Sequence, residues 1–368
     1  MHLYTQRQRA LQDTLAVGTA VLLADTSIIN YFTGFRAITA SEREGYLLLS
    51  RNKAGLFTAA FSPVPSYLEE KILPESFVLT RTINLARVAA SLHTWGITTL
   101  QTDDAHLFVA ELKELKQHSS GTGEHAYETT PFDMASIWKL RMVKDEAEQR
   151  LINKACAITR QVLDETLSSL EEGQSEQEVA VRMEFRFREL GADGAAFPTI
   201  VAFGAHAALP HYQPGKTRLE RNTAVLIDCG ARVEGYNGDM TRTIWFGDTP
   251  SQEFQKIQAI VDSAYAAGYE LLRTSFRENT TLTAGELDAA VREHIDTNGY
   301  GSAFIHTTGH GIGLDVHEPP SIYQTTPTSL TPGMVITIEP GIYLPGQLGY
   351  RFENTILLTS QDTEELTE

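Results

Sequence analysis

The 368-residue sequence has only two cysteines, Cys156 and Cys229. So few cysteines exclude a disulfide scaffold, and they are typical of a protein in a reducing compartment. The sequence also lacks the Cys-x-x-Cys and Cys/His spacings of structural zinc sites. Cys229 directly follows Asp228, but we interpret it as a small apolar strand residue rather than as a nucleophile.

Positive charge is scarce as well, since 30 lysines and arginines face 47 aspartates and glutamates, for a net charge of −17. Such a field repels nucleic-acid phosphates and anionic membrane surfaces. No apolar run approaches the roughly 18 residues that a membrane-spanning helix needs. Residues 1–15 resemble an amphipathic helix and lack the apolar segment of a signal peptide. We therefore expect a cytoplasmic protein that binds neither nucleic acid nor membranes.

Residues 1–132 are predicted to form a small α/β domain, in which short apolar runs alternate with segments of helical spacing. The strand-like runs are 20–24, 45–50, 54–60, 76–80 and 97–102, and the helical segments are 65–72 and 103–117. The polar segment 118–133 is rich in glycine, serine and histidine, which is typical of a domain boundary. We place that boundary at 132/133.

Residues 133–368 are predicted to contain one order of elements twice. Each half has a long helix, a capping box that starts a second helix, and a strand hairpin. In chain order these segments are 144–173, Ser175–Glu178 and 225–246, then 251–274, Thr283–Glu286 and 334–358. The repeat indicates a duplication, in which the helices lie on one side and the two hairpins meet at a pseudo-two-fold axis.

Each predicted hairpin carries two carboxylates among apolar strand residues. Asp228 and Asp239 interrupt the first hairpin, and Glu339 and Glu353 interrupt the second. A buried carboxylate is costly unless it is paired, hydrogen-bonded or bound to a metal. Four of them in one small space cannot all ionise without a counter-ion. A pair of divalent cations resolves this conflict, because carboxylate oxygens suit ions such as Mn²⁺.

A glycine-rich loop at 304–320 offers nitrogen ligands between the two hairpins. It contains His306, His310 and His317, and its glycines allow the backbone to approach a ligand closely. A single histidine is more often a packed or surface residue, but three in this loop favour a metal site. Two-metal hydrolytic sites hold their ions about 3.5–4 Å apart.

These motifs resemble the pita-bread metallopeptidases, the family of methionyl aminopeptidase, aminopeptidase P and prolidase. The matching residues are Asp228 in LIDCGA, Asp239 in GYNGDMTRT, His310 in TGHGIGL, Glu339 in TIEPGIY and Glu353 in YRFENT.

The N-terminal part, with NYFTGF at 30–35, is similar to the creatinase-type domain that methionyl aminopeptidases generally lack. The resemblance therefore implies the Xaa-Pro branch of the family. It also implies an α/β two-domain protein, with a creatinase-like N-terminal α/β domain at 1–132. A duplicated α+β pita-bread catalytic domain would follow at 133–368.

The resemblance further implies a role for each matched residue. Asp228 would bind one divalent ion through both oxygens, Asp239 and Glu353 would bridge two ions, and His310 and Glu339 would complete the second. A bridging water or hydroxide would attack the scissile carbonyl, with Glu339 as the proton shuttle.

Other residues resemble the family's substrate-binding groups. His211, in AALPHYQP, matches a histidine that binds substrate and stabilises the intermediate, and His317, in DVHEPP, matches one that contacts the substrate near the scissile bond. Arg351 resembles the arginine that orders the site and is also a candidate donor to the substrate. Tyr343 and His306 are expected as wall residues or as groups that support the residues contacting the substrate, and either could equally be a packing residue; as a wall, Tyr343 would be aromatic.

One segment, FGAHAALPH, departs from the family pattern. Ala205 and His206 stand where the family commonly has a polar pair that ends in asparagine. The departure concerns the shape of the amino-end pocket, the part of the site that would hold the substrate residue before the proline. His206 is either an additional ligand or, as we favour, a residue of a surface loop.

The activity implied by this resemblance is that of a dinuclear-metal Xaa-Pro dipeptidase with Mn²⁺, or alternatively Co²⁺ or Zn²⁺. An aminopeptidase P that acts on longer peptides is the alternative. A metal-free creatinase-like hydrolase and a metal-free binding module rank lower, because all five ligand positions are filled. We expect apolar residues before the proline, since no charged cluster marks that pocket. Because members of this family commonly form homodimers, we also expect a homodimer.

Overall fold

A computed structural model of the protein describes residues 3–37, 42–69, 76–120 and 127–368. The chain divides into two compact units, Met1–Arg141 and Met142–Glu368. The boundary that we place at 132/133 precedes this division. Parts of two predicted segments, 70–72 of a helix and 121–126 of the boundary, lie outside the described residues.

The first unit is built on one six-stranded sheet, in the order β4-β3-β2-β1-β5-β6. Its strands are β1 (Thr19–Leu23), β2 (Gly45–Ser50), β3 (Lys53–Thr58), β4 (Phe77–Thr80), β5 (Thr99–Thr102) and β6 (Glu128–Pro131). The central pairs β1–β2 and β2–β3 are antiparallel, and the outer pairs are parallel. Five strands coincide with the predicted apolar runs.

Strand β6 lies in the polar segment 118–133, just before the boundary that we place at 132/133, and was not predicted as a strand. Its sequence, Glu-Thr-Thr-Pro, is polar and partly exposed, but it pairs with β5 on one side only. An edge strand tolerates polar side chains and a proline, because one side of its backbone needs no partner strand. A search for apolar runs therefore overlooks it.

The helices of the first unit flank this sheet. They are α1 (Leu3–Gln12), α2 (Thr26–Thr33), α3 (Ser66–Glu69), α4 (Leu85–Thr94), α5 (Val109–Ser120) and α6 (Ala135–Met142). A core of buried aliphatic side chains joins the sheet to α4 and α5, including Leu22, Leu48, Val88 and Leu115. The helix predicted over 103–117 begins only at Val109.

The second unit contains the predicted repeat. Its first half has α7 (Glu146–Ser168), α8 (Glu176–Glu189), β7 (Gly194–Ala195), β8 (Ile200–Phe203), β9 (Thr223–Cys229), β10 (Ala231–Val233), β11 (Tyr236–Asn237) and β12 (Met240–Phe246). Its second half has α9 (Gln252–Arg277), α10 (Ala284–Thr297), β13 (Gly309–Gly311), β14 (Glu318–Ile322), β15 (Val335–Ile338), β16 (Gly341–Leu344), β17 (Leu348–Arg351), β18 (Asn354–Leu358) and β19 (Thr363–Glu365).

Both predicted capping boxes form. Ser175 Oγ accepts from the Glu178 N–H at 3.2 Å, and Thr283 Oγ1 accepts from the Glu286 N–H at 3.2 Å. Each glutamate in turn accepts from the backbone N–H of its capping residue. A cap of this kind typically stabilises a helix by about 1 kcal/mol.

The two halves meet through their hairpins. The first sheet has the order β12-β9-β8, and the second has the order β14-β13-β15-β18-β19. Strands β9 and β12 pair antiparallel, as do β15 and β18. An antiparallel bridge between Thr241 and Glu353 joins the two sheets.

Within the described ranges, no helix is both long and apolar enough to cross a membrane.

Strand alternation separates a helix-packed face from a carboxylate face. The residues that pack toward the helices are Val225 and Ile227, Met240 and Ile244, Ile336 and Ile338, and Ile356 and Leu358. Successive side chains on a strand point to opposite faces. Asp228, Asp239, Glu339 and Glu353 stand in or directly beside these strands with the opposite parity. The pattern that buries the aliphatic core therefore directs all four carboxylates to the other face.

Candidate active site

The structure brings the five predicted ligand residues into one cleft. Ligand atoms of Asp239, His310 and Glu353 all lie within 4.8 Å of one another. His310 Nε2 is 3.8 Å from Asp239 Oδ2 and 3.3 Å from Glu339 Oε1. Asp228 lines the same cleft. This is the clustering of carboxylate oxygens and an imidazole nitrogen that the sequence predicts.

His310 reaches this position because its neighbours are glycines. Strand β13 runs between β14 and β15. A Cβ on Gly309 would lie 2.0 Å from Thr337 O, and a Cβ on Gly311 would lie 2.3 Å from Pro319 O. His310 Nδ1 donates to Gly311 O at 3.2 Å. That bond turns Nε2 toward the carboxylates, where it donates to Glu339. From this position Nε2 could bind a metal ion after losing its proton, and metal-binding imidazoles are usually held in this way.

The carboxylates are hard to ionise together. Burial raises the pKa of Asp239 well above its usual range, and the nearby Glu353 and Asp228 raise it further. Burial and the nearby Glu339 likewise raise the pKa of Glu353. For Glu339 itself, burial opposes ionisation, but the hydrogen bond and charge of His310 prevail and lower its pKa to about 2.

Two oxygen atoms support the fit of a metal to this site. Asp228 Oδ1 and Asp239 Oδ1 are buried, and neither has a hydrogen-bond partner within the described part of the chain. A buried carboxylate oxygen without a partner is costly. Divalent ions such as Mn²⁺, Co²⁺ and Zn²⁺ accept carboxylate and imidazole ligands. The residues present therefore fit divalent metal.

Arg351 connects Asp228 with Thr241 and Tyr343. Its guanidinium donates to Asp228 Oδ2 at 2.5 Å, to Thr241 Oγ1 at 3.1 Å and to the Tyr343 hydroxyl at 2.7 Å. The Tyr343 hydroxyl also lies 2.8 Å from His306 Nε2. Burial raises the pKa of Tyr343 to about 12, so its hydroxyl stays protonated at neutral pH.

Two of the predicted substrate-binding residues take part in these contacts. Tyr343, expected as an aromatic wall, is buried behind Arg351, where its hydroxyl supports the guanidinium. Arg351, expected also as a donor to the substrate, directs its nitrogens to Asp228, Thr241 and Tyr343. Arg351 also lines the cleft, so its contact with the substrate stays a prediction.

Thr241 is a residue that the sequence analysis missed. Its hydroxyl donates to Glu353 Oε2 at 2.6 Å and accepts from Arg351 Nε. It thereby connects the carboxylates of both hairpins. The available signal was its position two residues after Asp239, which places it on the same strand face.

The cleft has a volume of about 740 Å³. Two exposed histidines, His211 and His317, line it together with the apolar residues Phe197, Pro198, Ile200, Pro210 and Val316. The His317 ring packs against His310, with ring centroids 4.4 Å apart. Partial burial and the neighbouring His310 lower the pKa of His317. The cleft thus combines an apolar lining with polar groups beside the carboxylates.

A family model described as metallopeptidase family M24 matches residues 150–360, more than half of the chain. The chain belongs to metallopeptidase family M24. This membership makes the protein a metal-dependent peptidase, in agreement with the donor set of the cleft.

Individual relatives extend the match beyond the family segment. An Xaa-Pro dipeptidase of Pyrococcus furiosus is 42% identical over 232 residues, which are 63% of this chain and 65% of that relative, just under two thirds of its length. The structure of an Xaa-Pro dipeptidase from Bacillus anthracis is 31% identical, with a TM-score of 0.86 over 99% of this chain and 97% of that one. The structure of an X-Pro aminopeptidase from Thermotoga maritima is 29% identical, with a TM-score of 0.81 over 97% of each chain.

These matches confirm two expectations drawn from the sequence. The resemblance to the pita-bread metallopeptidases, and to their Xaa-Pro branch, is confirmed for this M24 chain. The predicted fold class, an α/β protein of two domains with a duplicated second domain, is confirmed as well.

The geometry predicts different consequences for two neighbouring histidines. His310→Ala should weaken metal binding by about tenfold or more, since even outer partners of metal ligands have effects of that size. His317→Ala should retain the metal and lose hydrolytic turnover, because His317 lines the cleft beside His310. Metal per chain is measured after loading with Mn²⁺ and removal of the excess.

His118→Ala is the control for this comparison, because His118 lies on helix α5 of the first unit, is about 41% exposed, and should change neither quantity. Equal loss of metal in the His310 and His317 variants would contradict the distinction.

Proposed function

We propose that this M24 protein is an exopeptidase that uses two divalent ions to hydrolyse the Xaa-Pro bond of dipeptides. The observation that carries the proposal is the cluster of four carboxylates and His310 at the base of an apolar cleft. The names of the relatives from P. furiosus and B. anthracis, both Xaa-Pro dipeptidases, support the same substrate class.

We assign the five ligands as the resemblance implies. Asp228 would hold one ion, Asp239 and Glu353 would contact both, and His310 and Glu339 would complete the second. Divalent ions bound in such a site supply Lewis acidity towards the scissile carbonyl and lower the pKa of water. Mn²⁺ is our proposed metal, because four of the five ligands are carboxylates.

Glu339 is our proposed proton shuttle. Its carboxylate lines the cleft, where Oε1 lies 3.3 Å from His310 Nε2 and Oε2 lies 4.0 Å from His306 Nδ1. It would take a proton from the attacking water and pass it to the proline nitrogen as the bond breaks. That nitrogen has no hydrogen before cleavage, so it must gain one to leave.

His211 and His317 are our proposed substrate-binding groups. Both line the cleft, and their ring nitrogens can donate to the oxygens of a peptide. The apolar residues of the lining, such as Phe197, Ile200 and Val316, suit the proline ring and an apolar first residue. A donor beside an apolar surface is what an Xaa-Pro substrate needs, because its amide offers no N–H to recognise.

An aminopeptidase P is the second candidate. The solved X-Pro aminopeptidase of T. maritima has the same fold at 29% identity, which supports this alternative. It differs from a dipeptidase in accepting peptides that continue beyond the proline. The substrate length therefore distinguishes the two.

Three dipeptide and tripeptide assays test the proposal. With Mn²⁺ loaded, Ala-Pro should be hydrolysed faster than Ala-Pro-Ala, and Ala-Ala should be cleaved slowly. A chelator should abolish all three rates, and Mn²⁺ should restore them. Faster cleavage of Ala-Pro-Ala would establish the aminopeptidase instead. Equal rates on Ala-Pro and Ala-Ala would reject proline selectivity.

We also propose a cytoplasmic homodimer. Cys156 and Cys229 are both buried and unpaired with each other, which fits a reducing compartment. The dimer rests on the resemblance to the family. Light scattering at micromolar concentration should give twice the chain mass of 40.7 kDa. A mass of one chain would contradict the dimer.

A further inference from the structure

A fully buried carboxylate outside the metal cluster has no role in the mechanism above. Glu176 is the first residue of α8, and its side chain is completely buried. The start of a helix favours a negative charge, because the unpaired backbone N–H groups there point toward it. A helix start alone does not explain why this side chain turns inward.

Four donors converge on this one carboxylate. Oε1 accepts from the Phe203 N–H at 2.9 Å and lies 2.8 Å from His206 Nδ1. Oε2 accepts from the Tyr212 hydroxyl at 2.8 Å and from the Gly215 N–H at 3.0 Å. Each oxygen therefore has two partners, and all four belong to residues 203–215.

The four donors bracket His211. Phe203 and His206 precede it, whereas Tyr212 and Gly215 follow it. The rings of His206 and Tyr212 also stack, with centroids 4.4 Å apart and planes 23° from parallel. The side chain of Glu176 thus forms hydrogen bonds on both sides of His211, within the segment that places His211 in the cleft.

This arrangement explains the departure noted in the sequence. His206, which we considered as a ligand or as a surface residue, bonds to Glu176 and stacks on Tyr212. Pro210, His211 and Tyr212 line the cleft. The exposed His211 depends on the backbone of this segment for its position, and that backbone is held by Glu176.

We infer that Glu176 is a positioning residue that acts through His211. The expected effect of Glu176 on the kinetics of hydrolysis rests on the proposed function. A group held in place before the substrate arrives contributes to rate and affinity, and a displacement of about 1 Å can cost up to about a hundredfold. Glu176 holds His211 in this way without touching the substrate.

Glutamine at position 176 is a sharp test, because it keeps the shape of the side chain and changes the hydrogen bonds of only one of its two oxygens. One oxygen becomes an NH₂ group, which donates and cannot accept. That group would face either the Phe203 N–H and His206, or the Gly215 N–H and Tyr212. The backbone N–H on that side would then face another donor and lose its bond, whereas the tyrosine hydroxyl or the histidine ring could change from donor to acceptor.

The experiment is a double-mutant cycle on Ala-Pro with Mn²⁺-loaded protein. Glu176→Gln should lower kcat/KM by about tenfold, mainly through KM, with metal per chain unchanged. In the His211→Ala background, the same change should cost less than about twofold. Equal losses in both backgrounds, or no loss in the wild type, would overturn the inference.

Glu178→Gln is the matched control. It lies on the same helix, is exposed, and glutamine preserves the capping box. It should leave kcat/KM within about twofold of the wild type. Tyr212→Phe, which removes one of the four bonds, is the milder variant to use if Glu176→Gln does not fold.

Amide hydrogen exchange tests the same inference without activity. Exchange over 203–215 should rise in Glu176→Gln, or in Tyr212→Phe, and stay unchanged in Glu178→Gln. Unchanged exchange in both Glu176→Gln and Tyr212→Phe would overturn the inference. A wild type that does not cleave Ala-Pro would contradict the proposed function only, since the exchange experiment still decides the role of Glu176.

Discussion

The structure of the second unit depends on holding four carboxylates together in one cleft. Strand alternation directs them to the face opposite the helices, and the bridge between Thr241 and Glu353 brings the two hairpins together. Arg351 partly offsets the burial of Asp228, whose pKa stays raised, and His310 compensates Glu339. Asp239 and Glu353 remain with strongly raised pKa values. This residual cost is what divalent cations would relieve, and it links the fold to the chemistry of the family.

Beneath the carboxylates, each half of the duplication uses a buried acidic side chain to hold a histidine segment. In the first half, Glu176 on α8 holds 203–215. In the second half, the fully buried Asp288 on α10 accepts from the Thr308 N–H and hydroxyl, and from Arg292. Arg292 also donates to the His306 carbonyl. In both halves, a segment that lines the cleft is thus bonded to the second helix of that half, and sites supported by helices are held more precisely than sites on loops alone.

The features predicted correctly from the sequence are local. The capping boxes need four consecutive residues, and the carboxylates stand out against apolar neighbours within one strand. The features that were missed join distant residues: Thr241 and Glu353 are 112 positions apart, and Glu176 and His206 are 30 apart. The location of Tyr343 behind Arg351 likewise follows from the folding of β16 onto β17, not from any pattern around Tyr343. Strand β6 was missed for a different reason, because its polar residues are tolerated at an edge.

Anomalous diffraction from crystals loaded with Mn²⁺ tests the assignment of the carboxylates most directly. Two manganese peaks about 3.5–4 Å apart are predicted inside the cleft. Asp239 and Glu353 should contact both ions, Asp228 one ion, and His310 and Glu339 the other. A single peak, or peaks that Asp239 and Glu353 do not contact, would contradict the dinuclear site.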